Sequence, residues 1–127
     1  MSWCVYMMVV HAGGATYCKV GVTGSLWDRI CQVQTGCPVR ISDVAYVAMA
    51  TSNFAYQAER RIHWGLNEYH SHGEWFALDL SNEEHKAKFS DVCRRAFGEL
   101  CGSGWRWVHQ DLAGIKLMAG LRLDKNT

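Results

Sequence analysis

The strongest constraint in this sequence lies between residues 3 and 23. An apolar run, WCVYMMVV, leads into His11-Ala-Gly-Gly-Ala15, and Thr16-Tyr-Cys-Lys-Val-Gly-Val22 follows. Two β-prone segments joined by a short glycine turn form an antiparallel hairpin. Strands are therefore predicted over residues 3–10 and 16–22, and the rest of the chain must fold around them. Side chains alternate along a strand. Tyr17, Lys19, Gly21 and Thr23 share one face of the second strand, and Cys18, Val20 and Val22 share the apolar other. Tyr6, with Cys4 and Met8 on its own side, is expected beside Tyr17 and Lys19.

The next segments alternate between helix and strand signals. Ser25 is placed to cap a helix whose apolar positions are Leu26, Ile30 and Val33, and Gly36 and Pro38 interrupt it. Residues 40–50 alternate well enough for a third strand. Ser52 or Asn53 is expected to cap a second helix with an inner stripe of Ala55, Ala58, Ile62 and Leu66. Asn67 to Gly73 reads as a polar loop and Glu74 to Leu78 as a short strand. Ser81-Asn-Glu-Glu84 opens a long helix to Cys101, and a last helix is predicted from Asp111 to Leu121. This order predicts an α+β fold: a small three-stranded antiparallel sheet, with a short fourth strand, flanked by helices on one face. Residues 1–80 are expected to form the domain, with a helical extension over 81–127 packed on it.

Composition narrows the function classes only in part. The chain has 127 residues, 49% of them hydrophobic and 20% charged, which suits one folded core and excludes a disordered chain. No apolar run approaches the ~20 residues of a membrane helix. The first residues lack a basic start and a small-residue cleavage site, so they read as a strand, and a cytoplasmic location is expected. A net charge of +1 decides nothing about nucleic acid, because net charge hides distribution. None of the six cysteines has C-x-x-C spacing, so free thiols in a reducing compartment are expected. His63, His70 and His72 lack a standard zinc spacing. Trp105 and Trp107 are expected to pack the tail onto the domain.

Chemistry concentrates at a few positions. Glu59 and His63 stand four apart on one helix face. A single carboxylate cannot cage a metal, but it is a normal anchor for Mg²⁺ whose other ligands are water and phosphate. The guanidinium of Arg29 has the planar fork that pairs with phosphate oxygens. Lys19, Arg29, Arg40, Arg60 and Arg61 are the candidate strip for a nucleic-acid backbone. Taken singly, each of these residues is an ordinary strand or helix residue.

In order, Cys4-Val-Tyr6, Lys19-Val-Gly21, Val22-Thr23 with Arg29, Gln34-Thr-Gly-Cys-Pro38, Glu59 with His63, and Gly73-Glu-Trp-Phe76 form a recognisable set. The set resembles the GIY-YIG nuclease superfamily, in its phage-associated T5orf172/Mug113-like branch. The resemblance implies a three-stranded antiparallel sheet with flanking helices and Mg²⁺- or Mn²⁺-dependent hydrolysis of DNA phosphodiester bonds. It implies that Tyr6 orients or helps deprotonate the attacking water, Arg29 holds the scissile phosphate and Glu59 binds the metal, with His63 in support. The sequence departs from the pattern in places. Cys4 replaces the first glycine of GIY and Lys19 the tyrosine of YIG, with Tyr17 on the same strand face as a partial substitute. Val33 stands where members often carry a histidine, and the family's late asparagine has no counterpart. A second expectation follows: the same scaffold, without catalysis, serving as a phage inhibitor of a host defence system such as CRISPR through protein or nucleic-acid binding. A protein target or a homodimer would then be the partner. RNA is a further possible substrate of the same site. Convergence of Tyr6, Arg29 and Glu59 on an open cleft favours catalysis; a blocked cleft, or Arg29 locked onto Glu59, favours binding.

Overall fold

Strands β1 (Cys4–Ala12) and β2 (Ala15–Thr23) form the expected hairpin in the computed structural model, which describes residues 3–112. Gly13 and Gly14 make its turn with φ of +60° and +80°, the left-handed conformation a tight hairpin turn requires. The register sets Tyr6 opposite Gly21, Met8 opposite Lys19 and Val10 opposite Tyr17. Strand β3 (Ile41–Ala48) pairs with the other edge of β1, so β1 is central.

Every residue of β1 from Cys4 to Val10 is buried, on both faces. Such a strand must be covered twice. This corrects the expectation that helices cover one face of the sheet. Helix α1 (Leu26–Thr35) packs Leu26 and Ile30 against Cys4, Tyr6, Met8 and Val10. Helices α2 (Ser52–Gly65) and α3 (Glu83–Cys101) cover the opposite face, where Val5, Met7 and Val9 meet Ala55, Ala58, Ile62, Phe89 and Phe97. The α3 helix thus builds the same core as the hairpin.

The sheet has six strands, in the order β4-β5-β2-β1-β3-β6, rather than the three or four expected. Strand β4 (His70–His72) lies in the segment read as a polar loop. Gly73, at φ +56°, turns the chain into β5 (Trp75–Phe76), which pairs with Cys18 and Lys19 of β2. Strand β6 (Val108–His109) pairs with Ala45 and Tyr46. Strand β5 is the expected short fourth strand; the additions, β4 and β6, span three and two residues, too short for an alternating pattern to register.

Two caps differ in detail from the sequence reading. Thr51, not Ser52 or Asn53, caps α2, its hydroxyl accepting from the Phe54 amide at 3.1 Å. Ser25 does precede α1, but its hydroxyl donates to Asp28 at 3.0 Å. Asn82 caps α3 through the amides of Glu84 and His85. A methyl group on Gly65 would stand 2.6 Å from Val92, so the lack of a side chain lets α2 and α3 approach closely. Trp105 and Trp107 pack on Phe97, with ring centroids 5.0 and 5.6 Å apart. The six cysteines are free; burial pushes the thiols of Cys4 and Cys18 up to about 11 and about 12. Among the described residues no helix is long and apolar enough to cross a membrane. The helix predicted from Asp111 falls, past Leu112, outside the described residues.

Candidate active site

Gly21 is the floor of the site. A methyl group there would stand 2.4 Å from Oη of Tyr6, 2.5 Å from its Cζ and 2.9 Å from Oε1 of Glu74. The hydroxyl end of the tyrosine ring therefore lies over the glycine, and only a residue without Cβ permits it. Tyr6 is fully enclosed, at 0% exposure, and its hydroxyl has no hydrogen-bond partner among the described residues. A buried polar group in that condition costs roughly 1–3 kcal/mol. Burial pushes the phenol up to about 12, helped by the Glu74 charge and more weakly by Glu59; the Arg29 guanidinium works against them. Arg29 thus stands close enough to act on the hydroxyl first as a donor and then through its charge, but short of the geometry of a full hydrogen bond.

Glu74 is the residue that sequence reasoning passed over as part of a structural strand. It sits in the turn just before β5, and its carbonyl accepts from the Val20 amide at 3.1 Å, which ties it to β2 beside Gly21. Its carboxylate pairs with Lys19 at 3.0 Å, and the lysine ammonium lies 5.5 Å from the centre of the Trp75 ring. Lys19 is thereby held on the Tyr6 face of the sheet by an acid and an aromatic ring. The segment Gly73-Glu-Trp75 was a usable signal: here the acid between a turn glycine and a paired tryptophan reaches the neighbouring strand.

Helix α2 closes the site along the edge of β2. His63 donates from Nε2 to the Val20 carbonyl at 2.8 Å and packs edge-on against Phe76 at 5.0 Å. Val20 is thus held at both backbone groups, by Glu74 and by His63. One turn earlier, Glu59 faces the same way. Its carboxyl is raised above the usual range, first by burial and then by the Glu74 charge, while His63, Lys19 and Arg29 lower it. Glu59, Glu74 and Arg29 all act on the Tyr6 hydroxyl, and Lys19 joins them in the field of Glu59.

The fold brings together Tyr6, Lys19, Arg29, Glu59 and His63, with Glu74 added. It does not bring in Tyr17, which pairs with Val10, four residues along β1 and ~13 Å from Tyr6 at the usual strand rise. The expectation that Tyr17 lies beside Tyr6 and fills in for the missing tyrosine is corrected by this register. Arg40 precedes Ile41, which also pairs with Val10, so it stands at that same far end. Arg61 points to the other side of α2, where it pairs with Glu99 of α3. Arg60 is exposed on the outward face of α2. Among the described residues no three His, Cys, Asp or Glu side chains are grouped to hold a metal. Glu59, with the second carboxylate of Glu74 in its field, is the anchor the donor set offers for a cation that completes its shell with water and phosphate.

The sequence model of one family, the T5orf172 domain, matches residues 3–96. That span takes in the hairpin, Arg29, Glu59, Glu74 and most of α3. No curated protein and no solved structure matches the chain.

Proposed function

The chain belongs to the T5orf172 domain family, whose members are endonuclease-like in the GIY-YIG manner, and from that premise we propose a metal-dependent DNA endonuclease. One observation carries the reading: an enclosed, unpartnered tyrosine hydroxyl on a glycine floor, with an arginine and two carboxylates acting on it and a lysine paired to one of those carboxylates. Hydrolysis of a phosphodiester needs an oriented water, a clamp on the phosphate and charge to balance the leaving oxygen. Arg29 supplies the clamp. Tyr6 stays protonated at neutral pH, since burial lifts its phenol to about 12, so its first task is to orient the water by hydrogen bonding. Loss of its proton is eased by Arg29 and by any cation in the site. Lys19, steadied by Glu74, adds a positive charge on the same face. Glu59 would hold Mg²⁺ or Mn²⁺, which when bound offsets charge on the phosphate and the leaving oxygen. His63 pins α2 to β2 and so fixes where Glu59 stands.

A second reading also rests on a specific observation. Tyr6 is wholly closed off, and Lys19 and Glu74 are paired beside it, as in a scaffold that binds rather than cuts, such as a phage inhibitor of host defence. Against it, no ion pair locks Arg29 onto Glu59 among the described residues. Supercoiled plasmid incubated with the protein and Mg²⁺ or Mn²⁺ separates the two. Nicking that vanishes in Glu59→Ala supports the endonuclease; no nicking with either metal selects the binding protein.

A further inference from the structure

Helix α2 carries a second row of residues that the proposed chemistry does not use. Tyr56, Arg60 and Trp64 recur every four residues, so they run along one side of the helix, directly outside the row of Glu59 and His63. All three are exposed: Tyr56 is 47% exposed and Trp64 82%. An indole left that bare is unusual, because tryptophan is among the most buried side chains on average. Trp3 extends the row at one end, its ring 6.1 Å from that of Tyr56 and lying over Gly24. Among the described residues no carboxylate pairs with Arg60.

We infer that this row is a stacking platform for unpaired nucleotides, so that the site takes single-stranded or locally opened nucleic acid. The inference rests on the hydrolase reading and names the substrate class for the same site. Three features choose a nucleic acid over a protein partner. Tyr56 and Trp64 are separated by the cation Arg60 rather than merged into a dry apolar patch. A helix rises ~1.5 Å per residue, so ~6 Å separates successive members, which leaves room for a base on each ring and a phosphate at Arg60 between them. The row is also the next one around the helix from Glu59 and His63, so one strand can lie on the platform and reach the pocket. Ring faces stack on any base, and an arginine beside them neutralises the backbone.

The test is fluorescence anisotropy with a short fluorescein-labelled oligonucleotide, as a single strand and as its duplex, in EDTA so that nothing is cut. The variants are Trp64→Ala, Trp64→Phe and Tyr56→Ala, all at exposed positions whose fold is checked by circular dichroism. The wild type should prefer the single strand. Each alanine should weaken single-strand binding by about 5- to 150-fold, the range that stacking of a base on a ring covers, and phenylalanine should keep most of it. Duplex binding should not change. The inference is overturned if the wild type binds neither probe, if the alanine variants bind the single strand as well as the wild type, or if duplex binding falls in parallel. It is also overturned if sedimentation shows a dimer that Trp64→Ala dissociates, since the row would then be covered by a second copy. Plasmid nicking is read separately. Nicking with unchanged affinity in the alanine variants removes the platform and leaves the hydrolase; platform-dependent binding without nicking does the reverse.

Discussion

Replacing Gly21 with alanine tests the geometry on which the site depends. The new methyl would meet Tyr6 Oη at 2.4 Å, Cζ at 2.5 Å and Glu74 Oε1 at 2.9 Å. Carbon atoms rest at about 3.5–4.0 Å, so the ring must withdraw by about 1 Å. It has nowhere easy to go, because Tyr6 is fully buried in the cluster with Met8, Leu26 and Ile30. Overpacking of this kind costs about 1–3 kcal/mol. Against that, alanine restricts the unfolded chain and recovers about 0.5–1 kcal/mol of the glycine penalty. The net expectation is a loss of about 1–2 kcal/mol, read as a lower urea midpoint at unchanged slope. In a Tyr6→Val background the same methyl meets only the Glu74 side chain, which can swing away. The clash should then disappear and only the glycine gain remain, so the coupling energy between the two sites is the clash itself, about 1–3 kcal/mol. Plasmid nicking should fall by about 100-fold, as a displacement near 1 Å at a reacting centre commonly brings. If Gly21→Ala is as stable as the wild type or more so, the ring does not lie over Gly21 and the account of the site fails.

Three further outcomes follow from the same structure. Tyr6→Phe removes an unpartnered buried hydroxyl, so urea melts should show stability unchanged or raised by about 1 kcal/mol while nicking is lost; a loss of more than 1 kcal/mol would mean the hydroxyl is satisfied in the folded protein. Glu74→Gln removes a negative charge that raises the Glu59 carboxyl and frees Lys19, so the acid limb of nicking should move to lower pH. The stability profile should change in step. The folded protein holds the Glu59 proton more tightly than the unfolded chain, so this group's contribution is full below about pH 4.3 and is lost as pH rises through its folded value. That downward slope should shrink in Glu74→Gln, and a slope that steepens would contradict the charge coupling. Gly65→Ala drives a methyl to 2.6 Å from Val92 and should lower stability by about 1–3 kcal/mol in thermal melts; an unchanged melting temperature would show that α3 can give way there.

The hairpin was legible because its two signals agree: apolar runs flank Gly13-Gly14, and the structure puts both glycines at positive φ. The helices were legible because Ala55, Ala58 and Ile62, or Phe89, Val92 and Phe97, repeat at the helical period and are buried as a stripe. Strands of two or three residues have no period to read, so β4 and β6 emerge only where β5 and β3 offer an edge, whereas β5 falls within the strand expected from Glu74 to Leu78. The site shows the same division. Tyr6, Arg29 and Glu59 stood out through their order along the chain. Tyr17 was misplaced because sharing a face with Tyr6 says nothing about distance along the strand, which the register alone determines. Glu74 was hidden because it precedes its strand, where alternation does not apply, and its partners Lys19 and Gly21 lie more than fifty residues away in sequence.

Helix α2 divides its circumference among three sectors. Ala55, Ala58, Ile62 and Leu66 face the core, Glu59 and His63 face the pocket, and Tyr56, Arg60 and Trp64 face outward. The sectors interleave along the chain but do not overlap around the helix. Mutation can therefore work on them almost separately. A change in the core sector is felt by the whole protein, and a change in the pocket sector by the chemistry. A change in the outward sector alters what the helix meets and little else. What the helix binds on its outer side can therefore be altered by substitution while the residues one step around the turn keep their places.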